Sequence, residues 1–216
     1  MTLFKTMDPA MLLPLYTGFT PSTVHPFLFI PVVTMFGKSL VYFTAALGVA
    51  NAASYKATMT AYGSSDDNGS GNCKKTGACG FYFDPGYSAA VSQNLYGVAG
   101  GEGAGPACGK CYALTAEKDS SGKALSGTKS VVVRVDNLCP ASGGNDVCSM
   151  GSLSDTNSYG ANVNFDLCID TGANTAVFGD NDIGLAVGTA EEVDCSQWSG
   201  KQVGSGWKRH AWAFSA

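Results

Sequence analysis

Histidine is almost missing from this chain. Of 216 residues only His25 and His210 are histidine, and the long stretch between them has none. Ser-His-Asp hydrolysis, Cys-His proteolysis and histidine-ligated metal sites are excluded from that stretch. Charge is sparse too. Charged residues make up 14% of the chain and the net charge is −4. Nucleic acid, whose affinity comes from clustered Lys and Arg, is therefore not an expected partner. No Gly-rich phosphate loop follows a strand-like run, so nucleotide binding has no footing. No internal repeat is visible. A membrane span needs about 20 unbroken apolar residues, and the apolar stretch 27–50 is interrupted by Pro31, Gly37 and Lys38. No stable membrane anchor is expected.

Cysteine is what the chain does have. Cys73, Cys79, Cys108, Cys111, Cys139, Cys148, Cys168 and Cys195 are even in number and confined to one block. That pattern reads as a disulfide framework formed in an oxidising compartment, with the pairing left open. Cys108-Gly-Lys-Cys111 taken alone fits a redox pair or half a zinc site. Six further cysteines favour structural disulfides, and neither metal nor cofactor is expected. Residues 35–52 read as a secretory signal: Lys38 is the positive flank, Ser39 to Ala50 the apolar core, and Ala50-Asn51-Ala52 the cleavage site. Residues 1–34 then read as an extension outside the mature protein, 53–200 as the domain, and 201–216 as an atypical tail in which Lys208, Arg209 and His210 lie between Trp207 and Trp212. The product is expected to be secreted and monomeric. Asn68-Gly69-Ser70 is a glycosylation sequon.

Within the domain, 54–62 alternates loosely and predicts a first strand. Residues 87–96 predict a helix, with Tyr87, Val91 and Leu95 on one face and Gly97 as the stop. Strands are expected over 112–115 and 130–136, and a last strand pair over 185–193. The segment from Val163 to Asp170 alternates cleanly. Val163, Phe165, Leu167 and Ile169 take one face; Asn164, Asp166, Cys168 and Asp170 take the other. Many short strands with one helix predict a small β-barrel.

With histidine absent, carboxylates, amides and aromatics remain. That set suits polysaccharide chemistry, because a glycosidic bond needs a proton donor on its leaving oxygen. Asp166 is the candidate acid. Between Phe165 and Leu167 it would be partly desolvated, which raises a carboxyl pKa and keeps the proton available. The plainer alternative is an Asp that caps a loop or pairs with Arg134.

Five segments then stand together: Thr60-Ala-Tyr62, Gly105-Pro-Ala-Cys-Gly-Lys-Cys-Tyr112, Asn137-Leu-Cys-Pro140, Phe165-Asp166 and Val193-Asp-Cys-Ser-Gln-Trp198. In these the chain resembles glycoside hydrolase family 45, in particular its small fungal endoglucanases, and the related expansins and loosenin-like proteins. The resemblance covers about residues 54–199. It implies a mainly β fold: a six-stranded double-psi β-barrel with one or two short helices and long disulfide-stapled loops. It also implies an open groove for a β-1,4-glucan and endo-cleavage with inversion, with Asp166 as general acid.

The chain departs from the family pattern in three places. Asn164 stands where the family has His, two residues before the acid. The Asp that follows the first-strand Tyr in one branch is absent, since Gly63-Ser64 follow Tyr62. In another branch an Asn serves as base, in the loop that here reads Ala141-Ser-Gly-Gly-Asn-Asp-Val-Cys148. Counting back from Cys148 reaches Gly144, one short of Asn145. Asn145 is the base candidate and Asp146 the alternative. Thr60, Tyr62, Tyr112, Asn137, Asn164 and Trp198 are the expected groove residues, the aromatics either stacking on sugar or belonging to the core. The resemblance to expansins implies a key Asp in the segment holding Asn137; Asp136 immediately precedes Asn137, but alternation puts neighbours on opposite faces, so Asp136 is not expected to stand in for that Asp. The rival to hydrolysis is a non-hydrolytic, glucan-binding, wall-loosening protein of expansin or loosenin type. A barwin-like defence or effector protein is a third reading.

Overall fold

Alternation along two strands builds the core. In β3 (Ser54–Tyr62), Ala57 and Met59 are fully buried on the inner side, while Thr60 and Tyr62 are only partly buried on the outer side. In β8 (Val163–Cys168), Val163, Phe165 and Leu167 are fully buried. The two strands run parallel, with Thr60 opposite Asp166 and Thr58 opposite Asn164. The polar faces of both strands therefore line up in one row.

The computed structural model describes residues 32–36, 39–43, 52–66, 69–142, 145–180 and 182–205. The chain divides into two units, 1–50 and 51–216. In the first, β1 (Val32–Phe36) and β2 (Ser39–Phe43) form an antiparallel pair. Residues 37–38 and 44–51 of the expected signal, the sequon Asn68 and the residues from Trp207 to Trp212 lie outside the described residues.

The second unit is a closed barrel of six strands in the order β3-β8-β5-β7-β6-β9. The remaining members are β5 (Ser88–Ser92), β6 (Cys111–Asp119), β7 (Val131–Cys139) and β9 (Ala186–Val193). Two parallel pairs, β3–β8 and β5–β7, interrupt an otherwise antiparallel ring. This is the double-psi β-barrel the motifs imply. Among the described residues two short helices accompany it, α1 (Gln93–Tyr96) and α2 (Ala173–Phe178). A small sheet pairs β4 (Tyr82–Phe83) with β10 (Gln202–Val203). The core includes Met59, Val91, Leu114, Val133, Val135 and Leu167, with Tyr112 edge-on to Phe165 at 5.0 Å. Each such large side chain contributes about 1.5–3 kcal/mol by leaving water.

Three expectations need correction. The predicted helix over 87–96 is strand β5 followed by the single turn α1. Ser88-Ala-Ala-Val-Ser92 is small enough to sit between β7 and β8, and all five residues are buried. Pairing on both edges outweighs the helix propensity of alanine. The expected pair over 185–193 is one strand, held between β3 and β6. Ile169 leaves the inner face because β8 ends at Cys168 and a 3₁₀ turn, Ile169–Thr171, begins.

The cysteines pair as Cys73–Cys168, Cys79–Cys108, Cys111–Cys195 and Cys139–Cys148. Cys108 and Cys111 have different partners, so they are neither a redox pair nor half a zinc site. Gly63 carries φ +145°, and a side chain there would press on Asp170 and Cys73. Glycine at this point lets the chain leave β3 and fold its next loop over the end of β8.

Candidate active site

The row of polar side chains on β3 and β8 opens into a groove of about 720 Å³. Thr60, Tyr62, Asn137, Asn145, Asp146 and Asp166 all line it. Six of the nine residues expected to act on substrate thus meet in one place, from three strands and one loop.

Asp166 sits at the groove floor. The Thr60 hydroxyl donates to its Oδ1 at 2.7 Å. Burial pushes its carboxyl up to about 6; the Thr60 bond opposes this and the charge of Asp66 reinforces it. Arg134 is not its partner. Its Nε donates to Gly109 O at 2.9 Å, and its guanidinium lies over Phe83 and Trp198.

On the far wall, Asn145 and Asp146 begin a 3₁₀ turn, Asp146–Cys148. Asn145 Nδ2 points to Cys139 Sγ at 3.6 Å, and Asp146 Oδ2 accepts from Ser158 at 3.0 Å. Both are exposed to the groove. Asn137 is held from two sides: its Oδ1 accepts from Ala78 N at 2.8 Å and its Nδ2 donates to the Tyr62 hydroxyl at 3.4 Å. Burial pushes the Tyr62 phenol well up, with Asp136 the next contributor.

Three expected groove residues lie elsewhere. Asn164 is fully buried behind Thr60 and cannot touch a sugar. Tyr112 is 1% exposed, packed on Phe165 as core. Trp198 does not line the groove. Its ring stands edge-on to Phe83 at 4.8 Å, and its Nε1 donates to Tyr87 O at 2.9 Å. It packs against the core, where Gly86 and Gly200 leave room for the indole.

Two groove residues escaped the sequence. Asp66 lies in the loop after β3, four residues beyond Tyr62. Burial pushes its carboxyl up, but hydrogen bonds from Ser70 and Gly63 outweigh that and hold it below the usual range. It is an ionised carboxylate on the same groove as Asp166. Its distance from the tyrosine hid it, because the loop doubles back. Tyr159 is 37% exposed and lines the groove as well. Its loop is fixed by Asn157, whose Oδ1 accepts from Tyr159 N and Ala161 N and whose Nδ2 donates to Thr58. Asn-Ser-Tyr-Gly reads as an ordinary turn, so only the fold reveals that the ring is presented to a groove.

Asp136 differs from the expectation in its reason. It is the extra residue of a β-bulge, since Ala89 faces Val135 and Ala90 faces Asn137. The bulge, not alternation, sets its direction. It is 2% exposed and does not line the groove. Burial pushes its carboxyl up to about 7, and neighbouring Ser88 lowers it somewhat without a well-formed hydrogen bond. Among the described residues, one cluster could be mistaken for a metal site: Cys73, Cys168 and Asp170. Both sulfurs are in a disulfide and offer no thiolate.

A family profile described as EXPB1-like domain 1 matches residues 57–200. The chain belongs to this family. The chain is also 37% identical, over 134 residues, to Endoglucanase-5 of Hypocrea jecorina. That match covers 59% of this chain and 53% of the relative, so the chain spans about half the relative's length. Among solved structures, the β-1,4-D-endoglucanase Cel45A of the blue mussel Mytilus edulis is similar at TM-score 0.50 and 28% identity, covering 66% of this chain and 80% of that one. The family 45 endoglucanase EG27II in complex with cellobiose gives TM-score 0.48 and 28% identity, over 65% and 80%. The profile match, the Hypocrea relative and the mussel structure bear out the likeness to family 45 endoglucanases and to the expansin-like fold that the motifs imply.

Proposed function

We propose that the chain is a secreted, monomeric endo-β-1,4-glucanase that cleaves internal bonds of cellulose or a related β-glucan with inversion. The observation that carries this reading is Asp166, a carboxyl group raised to about 6 on the floor of an open groove. Such a group keeps its proton in mildly acidic medium and can give it to a leaving oxygen. The chemistry needs no metal and no cofactor. Asp166 protonates the glycosidic oxygen as the C1–O bond breaks. Water attacks C1 from the opposite face and loses its proton to the base. Asn145 is the base candidate, Asp146 the alternative carboxylate, and ionised Asp66 a third group on the same groove. Thr60, Tyr62 and Asn137 frame the sugar at the cleavage point.

The test is release of reducing ends from soluble β-glucan by the mature domain, beside Asp166→Ala. Activity in the parent and none in the folded variant supports the proposal. No reducing ends from a parent that still binds cellulose would overturn it. That outcome would favour the non-hydrolytic expansin-like reading, for which the asparagine in place of histidine at 164 is the specific observation. Separate changes at Asn145, Asp146 and Asp66 then assign the base.

A further inference from the structure

Asn164 was expected to touch substrate, and it is instead fully buried, two residues before the acid. Its amide nitrogen has two neighbours. Nδ2 lies 3.0 Å from Thr60 Oγ1 and 3.3 Å from Cys148 Sγ. Cys148 is in a disulfide with Cys139, so its sulfur carries no hydrogen and can only accept. The atom facing it is therefore the amide nitrogen, which leaves Asn164 Oδ1 buried without a hydrogen-bond partner among the described residues. This fixes the orientation of the side chain. An amide NH₂ has no acceptor capacity, so Thr60 Oγ1 must accept from it. A threonine hydroxyl has one hydrogen, and the remaining contact of Thr60 is Asp166 Oδ1 at 2.7 Å. The hydrogen has only one place to go.

We propose that Asn164 is a positioning residue that acts on Asp166 through Thr60, making Oδ1 the fixed acceptor and Oδ2 the oxygen that carries the transferable proton. The Cys139–Cys148 bridge is the anchor that keeps the amide turned the right way. The inference rests on the glucanase reading for its chemistry. In the reaction, Oδ2–H gives its proton to the leaving glycosidic oxygen, the C1–O bond breaks, and Asp166 is left as a carboxylate whose Oδ1 still accepts from Thr60. Water supplies the oxygen that bonds to C1 and yields its proton to the base. The network thus holds one carboxylate oxygen while leaving the other free to work, without placing a cation beside the acid.

The groups that titrate around Asp166 are Tyr62 on β3, Asp66 on the following loop, Asp146 on the 3₁₀ turn and Tyr159 on the loop before β8. β5 presents Ala90 opposite Asp166 and no titrating side chain. Among the described residues no Lys or Arg lines the groove. Asp136 lies behind Tyr62 and is untouched by the variants below.

The test follows Asp166 by two readouts: the carbon-13 shift of its carboxyl against pH, and the pH profile of kcat/KM on soluble β-glucan. Thr60→Val removes the donor to Oδ1. The titration midpoint and the basic limb are expected to rise together by about half a unit or more. The same variant should lower kcat about tenfold with KM within about twofold. Thr60→Ser restores the parent values. Asn164→Asp turns an amide donor into an acceptor that captures the Thr60 hydrogen, and it raises the midpoint likewise. In the Thr60→Val background it should add less than half of that rise, whereas repulsion through space alone would add all of it. A midpoint unmoved in Thr60→Val, no rescue by Thr60→Ser, or full additivity of the two changes overturns the inference. Should Asn164→Asp fail to fold, the Thr60 pair decides alone. A parent that releases no reducing ends, yet shows the shifted titration, sinks the glucanase reading and leaves the positioning role standing.

Discussion

Asp166 and Asp136 are both raised by burial, with opposite uses. For Asp166 the protonated form is the working one, so kcat/KM should fall about tenfold per unit as pH rises above about 6. A profile flat to pH 8 would exclude it as the acid. Asp136 has no catalytic duty in view. Its folded value is about 7 against 3.8 in the unfolded chain, so its contribution to stability is full below about pH 4 and lost as pH climbs through 7. That loss is of order 4 kcal/mol at most, at 1.36 kcal/mol per unit. Asp136→Asn should therefore gain thermal stability over the parent at pH 8 relative to pH 4, measured as the difference in Tm between the two buffers. At this scale the sequence was legible where chemistry is scarce. With no histidine between 25 and 210, one carboxylate on a clean strand stood out. Whether Tyr112, Trp198 and Asn164 face sugar or core was not legible, because all are amphipathic types whose exposure depends on neighbours far along the chain.

Among elements, β3 and β8 were readable because each has one buried face and a period of two. β5 was not, since a buried run of small residues between two strands has no polar alternate face to betray it. The β7 bulge was equally hidden, because an extra residue is defined only by its partner strand. The 155–161 loop yields two further predictions. Asn157→Ala removes three hydrogen bonds and should cost roughly 3 kcal/mol in denaturant unfolding. Tyr159→Ala keeps the fold but removes the exposed ring of the groove. It should raise KM on β-glucan by about three- to tenfold, the equivalent of a lost aromatic contact, with kcat changed less.

Across the whole molecule, the even count of cysteines announced a stapled barrel, but their pairing needed the fold. Cys73–Cys168 closes 95 residues and Cys139–Cys148 closes nine. On chain-entropy grounds these restrain the unfolded chain by about 4.7 and 2.6 kcal/mol. Replacing the first pair with alanine should therefore lower the unfolding midpoint more than replacing the second. The second replacement should instead disturb the pH profile, since it frees the Asn164 amide.

The same bridges decide how the molecule meets proteases outside the cell, its proposed setting. Cys73–Cys168 spans every peptide bond between those residues, and Cys111–Cys195 spans the rest as far as Cys195. One cut anywhere from Cys73 to Cys195, such as after Lys110 or Lys123, leaves a single covalent molecule. The damage would show on a gel only after reduction, and the groove would keep both of its walls.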